Sequence, residues 1–195
     1  MKIAVLLICS SILIGCQSCK QKPAAVADKA MNDKDTITFF PVTDFIRQQL
    51  SHIDSTPYFL YRIRLTEGKK DSTTIDKKIF DSLAATLTRY NISDTAVKKK
   101  YTETIFNDQS TDSFTMSYRT TDGSLPLQSV DVLLNRDNQQ VKRIFWIIIY
   151  NKQGNTVTEK AGWKTNHSFY INRTIQRPDG KETSEQNMVV WNDKD

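Results

Sequence analysis

Cysteine is nearly missing from this chain, and the little there is stands in one place. Cys9, Cys16 and Cys19 are the three cysteines among 195 residues. Nothing after residue 19 can form a disulfide, which excludes a disulfide scaffold. Histidine is scarcer still, with His52 and His167 alone. That leaves little material for a histidine-based triad or a zinc site. Six glycines are scattered singly, so no Gly-rich loop is available to cradle a phosphate. The net charge of +5 is too modest to mark a nucleic-acid binder. With 38% hydrophobic and 25% charged residues, the composition is that of a folded domain.

The N-terminus carries the first positive signal. Met1-Lys2 opens with a charge, and Ile3 to Ile14 is apolar apart from Cys9, Ser10 and Ser11. That run falls short of the roughly 20 residues needed to span a bilayer. A charged start, a short apolar segment and a small residue before a break describe an export signal. The break is Leu13-Ile14-Gly15-Cys16. It resembles the lipobox of bacterial lipoproteins. The resemblance implies diacylglycerol on the Cys16 sulfur, cleavage before Cys16, and acylation of the new N-terminus. The chemistry suits the residues, because a thiolate is a strong nucleophile and two or three acyl chains hold a membrane firmly. Cys16 and Cys19 also form Cys-x-x-Cys. Without a second pair, and with Cys16 alkylated, a redox or metal role does not follow.

The expected organisation is a signal peptide over residues 1–15, a tether over 16–36 and a single domain over 37–195. Gln17 to Thr36 is polar and lacks lasting periodicity. A flexible segment of roughly 20 residues spans about 25 Å. Gln17, rather than Asp, follows the lipid cysteine. By resemblance to enterobacterial sorting rules, that favours the outer membrane, and with no acidic run after Cys16 to signal surface export the body is expected to face the periplasm.

The body begins with helical signals. Pro41 and Asp44 lie at a start, Val42, Phe45, Ile46, Leu50 and Ile53 recur at helical spacing, and Asp54 to Pro57 ends the pattern. Residues 58–65 alternate as a strand. A second helix is expected from Thr73–Asp76 to near Asn91, with Ile75, Ile79, Leu83 and Leu87 as its apolar stripe. Strand patterns follow around 114–118, 130–134, 144–150, 156–160, 169–175 and 188–191. The continuously apolar IFWIIIY, Ile144 to Tyr150, reads as a strand covered on both faces. The expected fold class is α+β, an antiparallel meander of about six to seven strands with two amphipathic helices on one face. Curved sheets of this kind include cystatin-like folds and lipid-carrier half-barrels.

No catalytic residue, metal ligand set or cofactor motif is assigned. A carboxylate pair is the weak enzymatic alternative, with Glu103, Asp131, Glu159 and Glu185 as candidates for a glycosidase-like hydrolase. Trp163, Tyr170 and Trp146 are the candidate ligand-lining residues, Trp163 with its ring only partly buried after Gly162. The opening Phe39 to Phe45 and the closing Val189-Val190-Trp191-Asn192 resemble uncharacterised lipoproteins of Bacteroidetes. That resemblance implies origin and architecture but transfers no activity. The expected function is a non-catalytic, lipid-anchored envelope protein binding a protein or envelope component. The alternative is a carrier of a small apolar ligand or lipid. Its partners are the membrane, through the lipid, and an envelope protein or apolar ligand, not nucleic acid. Labelled palmitate should enter the wild-type protein and not Cys16→Ala. Equal labelling of the two would remove the anchor.

Overall fold

The computed structural model describes residues 39–192. The lipobox at Leu13–Cys16 and the tether over 16–36 lie outside the described residues. The described residues belong to one compact unit. Helix α1 (Val42–Ser55) comes first, then strands β1 (Tyr61–Thr66) and β2 (Lys69–Thr74). Helix α2 (Lys77–Ala84) runs into a 3₁₀ turn, Ala85–Thr88, and a one-turn helix α3 (Thr95–Lys98) follows. Seven strands complete the chain: β3 (Thr102–Asp108), β4 (Ser113–Arg119), β5 (Leu127–Asn135), β6 (Val141–Lys152), β7 (Asn155–Lys164), β8 (Ser168–Gln176) and β9 (Glu182–Val190).

All nine strands form one antiparallel sheet in the order β2-β1-β9-β8-β7-β6-β5-β4-β3. From β3 to β9 each strand pairs with its sequence neighbour. Only β1 makes a distant pairing, placing Arg62 opposite Val189. Two hairpins use two-residue loops, Glu67-Gly68 and Gln153-Gly154, with positive φ at all four residues. That is the backbone a tight hairpin requires, and glycine supplies it without steric cost at the second position.

The count of nine corrects the expected six to seven. The two additional strands are β2 and β3, the edges of the sheet. The sequence of β2, KKDSTT, is exposed throughout. Strand β3 is exposed at most positions too. A strand with water on both sides has no buried face to impose alternation. The second helix also begins later than expected. Thr73 and Thr74 belong to β2, and Asp76 is the N-cap, accepting a hydrogen bond from the Ile79 amide at 2.8 Å.

Side chains on alternate strand positions join the helices in one core. Val42, Ile46 and Ile53 of α1 and Phe80 and Ala84 of α2 share it with Ile144, Trp146, Ile148, Trp163, Phe169 and Val189. Phe80 is fully buried. Its ring lies edge-on to Phe169 at 5.7 Å and to Trp191 at 5.9 Å. Trp163 stacks on Phe169 at 5.9 Å and is only 1% exposed, which corrects the partly buried ring expected from its neighbourhood. The leader to α1 is tied down by the Tyr118 hydroxyl, which accepts the Phe40 amide at 2.9 Å.

IFWIIIY is covered on one face, not two. Ile144, Trp146 and Ile148 enter the core, while Ile147 and Ile149 are 37% and 39% exposed on the other side. The apolar run hid an alternation because the outer positions are apolar as well.

Phe80→Ala should cost about 3–5 kcal/mol in urea unfolding. Ile79→Ala, at a 43% exposed position, should cost less than about 1 kcal/mol. Similar losses would mean that the core is not organised around Phe80. A second outcome concerns acid. Hydrogen bonds from Ser110 and Thr111 hold the Asp108 carboxyl down at about 2. Its stabilising contribution is therefore complete above about pH 4, the ordinary carboxylate range, and lost as pH falls towards 2. Asp108→Asn should flatten the acid limb of the stability curve in that window.

Candidate functional site

The face of the sheet turned away from the helices is the distinctive surface. The register assigns its residues. Ile63 and Leu65 of β1, Met188 of β9, Tyr170 of β8, Phe145, Ile147 and Ile149 of β6, and Leu133 of β5 occupy outward positions. Antiparallel sheets commonly leave one face in water, and that face is normally polar. Here an apolar band crosses it.

Tyr170 is the centre of the band, and its position depends on Gly162 directly opposite on β7. A Cβ at residue 162 would come within 2.3 Å of the Tyr170 Cε1 atom. The ring therefore lies over the bare glycine backbone, covering it as an aromatic side chain does across an unfilled strand position. Two shallow hollows flank the ring. One, of about 310 Å³, is lined by residues including Ile63, Leu65 and Lys70. The other, of about 250 Å³, is bordered by Arg143, Phe145 and Lys164. Tyr170 and Met188 line both.

Cations surround the band. Arg143, Lys160, Lys164 and Lys70 take outward positions beside it. The carboxylate on the β5 part of this face, Asp131, is already engaged. It accepts from Ser117 at 2.6 Å and pairs with Arg119 at 2.8 Å. The surface therefore combines an apolar centre with a basic margin.

The three ligand-lining candidates do not converge. Tyr170 is half-buried on the outer face. Trp163 borders the smaller hollow, but its ring is packed in the core. Trp146 is 2% exposed and faces the helices. The carboxylate candidates separate as well. Asp131 lies on the outer face, and Glu103 lies on the edge strand β3 opposite Tyr118. Only Glu159 and Glu185 approach each other, through Arg173, which stands opposite both in the register. Glu159 is fully buried and takes all its donors on one oxygen. Arg173 Nε and Nη2 reach Oε1 at 2.8 and 2.7 Å, and the Tyr150 hydroxyl at 3.1 Å. Burial opposes the Arg173 charge, but the hydrogen bond to Glu159 and the nearby Glu159, Tyr150 and Glu185 groups together raise the guanidinium above its ordinary value. Burial, reinforced by the Glu159 charge, raises the Tyr150 hydroxyl. His52 is exposed beside Tyr58, and His167 sits in the β7–β8 turn.

Among the described residues, no group of three or more His, Cys, Asp or Glu is placed to hold a metal ion. Nor is any helix among them long and apolar enough to cross a membrane. Compared with family models, curated proteins and solved structures, the chain finds no match. The class its coordinates define is a mixed α+β protein built on a nine-stranded antiparallel sheet.

The outer face was partly legible. Arg143, Phe145, Ile147 and Ile149 follow each other at every second position, and that spacing marks one strand face once the other is known to be core. The Gly162–Tyr170 contact was not legible, because it depends on the β7–β8 register. Gly162→Ala should push the Tyr170 ring off its seat. Tetranitromethane should then nitrate Tyr170 faster than in wild type, with cooperative unfolding retained. An unchanged rate would show that the ring does not depend on the glycine.

Proposed function

We propose that this protein is a lipid-anchored envelope component that works by binding, with the outer face of its sheet as the docking surface. The anchor is Cys16 and the membrane is the outer membrane, with the body in the periplasm. The observation that carries the reading is the apolar band around Tyr170 with its margin of Arg143, Lys160, Lys164 and Lys70. Contiguous apolar surface rimmed by polar groups marks interaction sites. Charge complementarity points to an envelope protein whose own docking face is apolar and bordered by carboxylates. A tether of roughly 20 residues gives such a body freedom to meet a partner beside the membrane.

The carrier alternative draws less support. The space between helices and sheet is occupied by Phe80, Trp163, Phe169 and Trp191 in mutual contact. The hollows beside Tyr170 are shallow and lie on the opposite face. The hydrolase alternative also weakens, because Arg173 stands between the two carboxylates that approach each other.

The test is a photoreactive residue at position 147 in the full-length, anchored protein in intact cells. It should give a discrete cross-linked species that is lost when Arg143→Glu and Lys160→Glu are added. The same probe at position 181, in the β8–β9 turn, should not give it. Identical products from both positions, or insensitivity to the charge reversals, would remove the docking face.

A further inference from the structure

The helix-side face of the sheet is not covered along its whole length. Towards the β1–β2 and β8–β9 turns its inward positions come out of the core and become polar. Arg64 and Thr183 are exposed there, and Arg173, Ile175 and Glu185 are half-buried. Two hollows open on this part of the face, on either side of Arg173, and their linings differ in charge.

The larger, of about 590 Å³, contains cations and anions together, with Arg64, Lys69, Asp71 and Glu185 in its wall. Arg64 faces Asp71 at 3.8 Å across it. The smaller, of about 370 Å³, is lined by Arg89, Tyr150, Lys152, Val157, Arg173 and Ile175. No carboxylate is in that wall. Its three cations come from three separate elements, the end of the 3₁₀ turn, the end of β6 and the middle of β8. Arg89 and Lys152 make no ion pair among the described residues, whereas Arg62, Arg64, Arg119, Arg136 and Arg173 each do.

Arg173 is built in rather than merely present. The buried Glu159 holds its Nε and Nη2 from behind, and Tyr150 closes the same carboxylate oxygen. Arg173 Nη1 makes no hydrogen bond among the described residues. A guanidinium fixed in plane with donors left over is the arrangement that oxyanions accept best. The Glu159 charge cancels one of the three cations, so the hollow carries a net charge near +2. Glu185, on the other side of Arg173, belongs to the larger hollow. Val157 and Ile175 supply apolar wall, which strengthens the remaining charges by excluding water.

We propose that this hollow is a binding site for a phosphate group, held by Arg89, Lys152 and Arg173, with Glu159 and Tyr150 as positioning residues. A tetrahedral dianion matches both the residual charge and the three directions of approach. The phosphate is either free or the headgroup of a phosphomonoester lipid. This site is separate from the docking face, and either assignment stands without the other.

The experiment titrates the full-length protein, in neutral detergent, with inorganic phosphate and with short-chain phosphatidic acid below its micellar concentration. Saturable binding is expected at low ionic strength, with a raised midpoint of thermal unfolding. Arg89→Gln with Lys152→Gln should weaken it at least about tenfold, equivalent to roughly 1.4 kcal/mol. Arg89→Lys should retain most of it, and Lys181→Gln should leave it unchanged. Both glutamine positions are exposed, so the fold should survive, and an unchanged unfolding midpoint without ligand checks this. If the double variant unfolds early, the single variants carry the test. Tighter binding of phosphatidic acid than of phosphate assigns a lipid headgroup. Equal or weaker binding assigns the free anion. Absence of saturable binding to both ligands would overturn the proposal, as would a double variant that binds like wild type.

Discussion

The contact on which the rest of the structure depends is Phe80 against Phe169 and Trp191. A nine-stranded antiparallel sheet has two large faces and only a modest helical complement to cover them. The short helix α2 presents one large ring, and that ring lies edge-on to two others. Edge-to-face geometry lets rings from different elements meet without a gap, and each ring removes a large apolar area from water. The helical layer is anchored where the aromatic side chains concentrate. Away from it, the same face of the sheet turns polar.

This division produces three surfaces from one sheet. The covered part is core. The uncovered part of the helix side holds an ionic lattice centred on Arg173. The outer face holds an apolar band with a basic margin. Strand alternation connects them, since a residue's surface is fixed by its parity and its distance from the aromatic cluster. On β7 the consecutive residues Lys160, Ala161 and Gly162 illustrate this, one on the outer face, one in the core and one beneath the Tyr170 ring. A slip of one residue in the register would exchange core and outer face for a whole strand.

What the sequence disclosed followed the same physics. Strands with one buried face were legible, because burial imposes a period of two. The two edge strands were not, because KKDSTT in β2 and TETIFND in β3 have no continuous buried face to record. The α2 start was misplaced for a related reason, since Thr73 and Thr74 resemble caps while serving as an edge. Trp163 looked accessible in a polar stretch, yet its parity sends it inward to Phe169. Arg89, Lys152 and Arg173 carry no common local pattern, and only the meander brings them together.

The distant pairing of β1 with β9 sets the order in which the chain can complete itself. Arg62 bonds to Asn187 across 125 residues of sequence. Strands β3 to β8 can assemble by successive local hairpins, but β1 and β2 have no place in the sheet until the last strand has formed. The first hairpin in the sequence is therefore the last one that can dock. Contacts this far apart slow folding because a long loop must close before they return any free energy. Until then the outward Ile63 and Leu65 belong to a free hairpin, and the edge of β9 is bare. Strand β9 thus acts as the clasp of the sheet, and losing it would free the β1–β2 hairpin from the strands it joins.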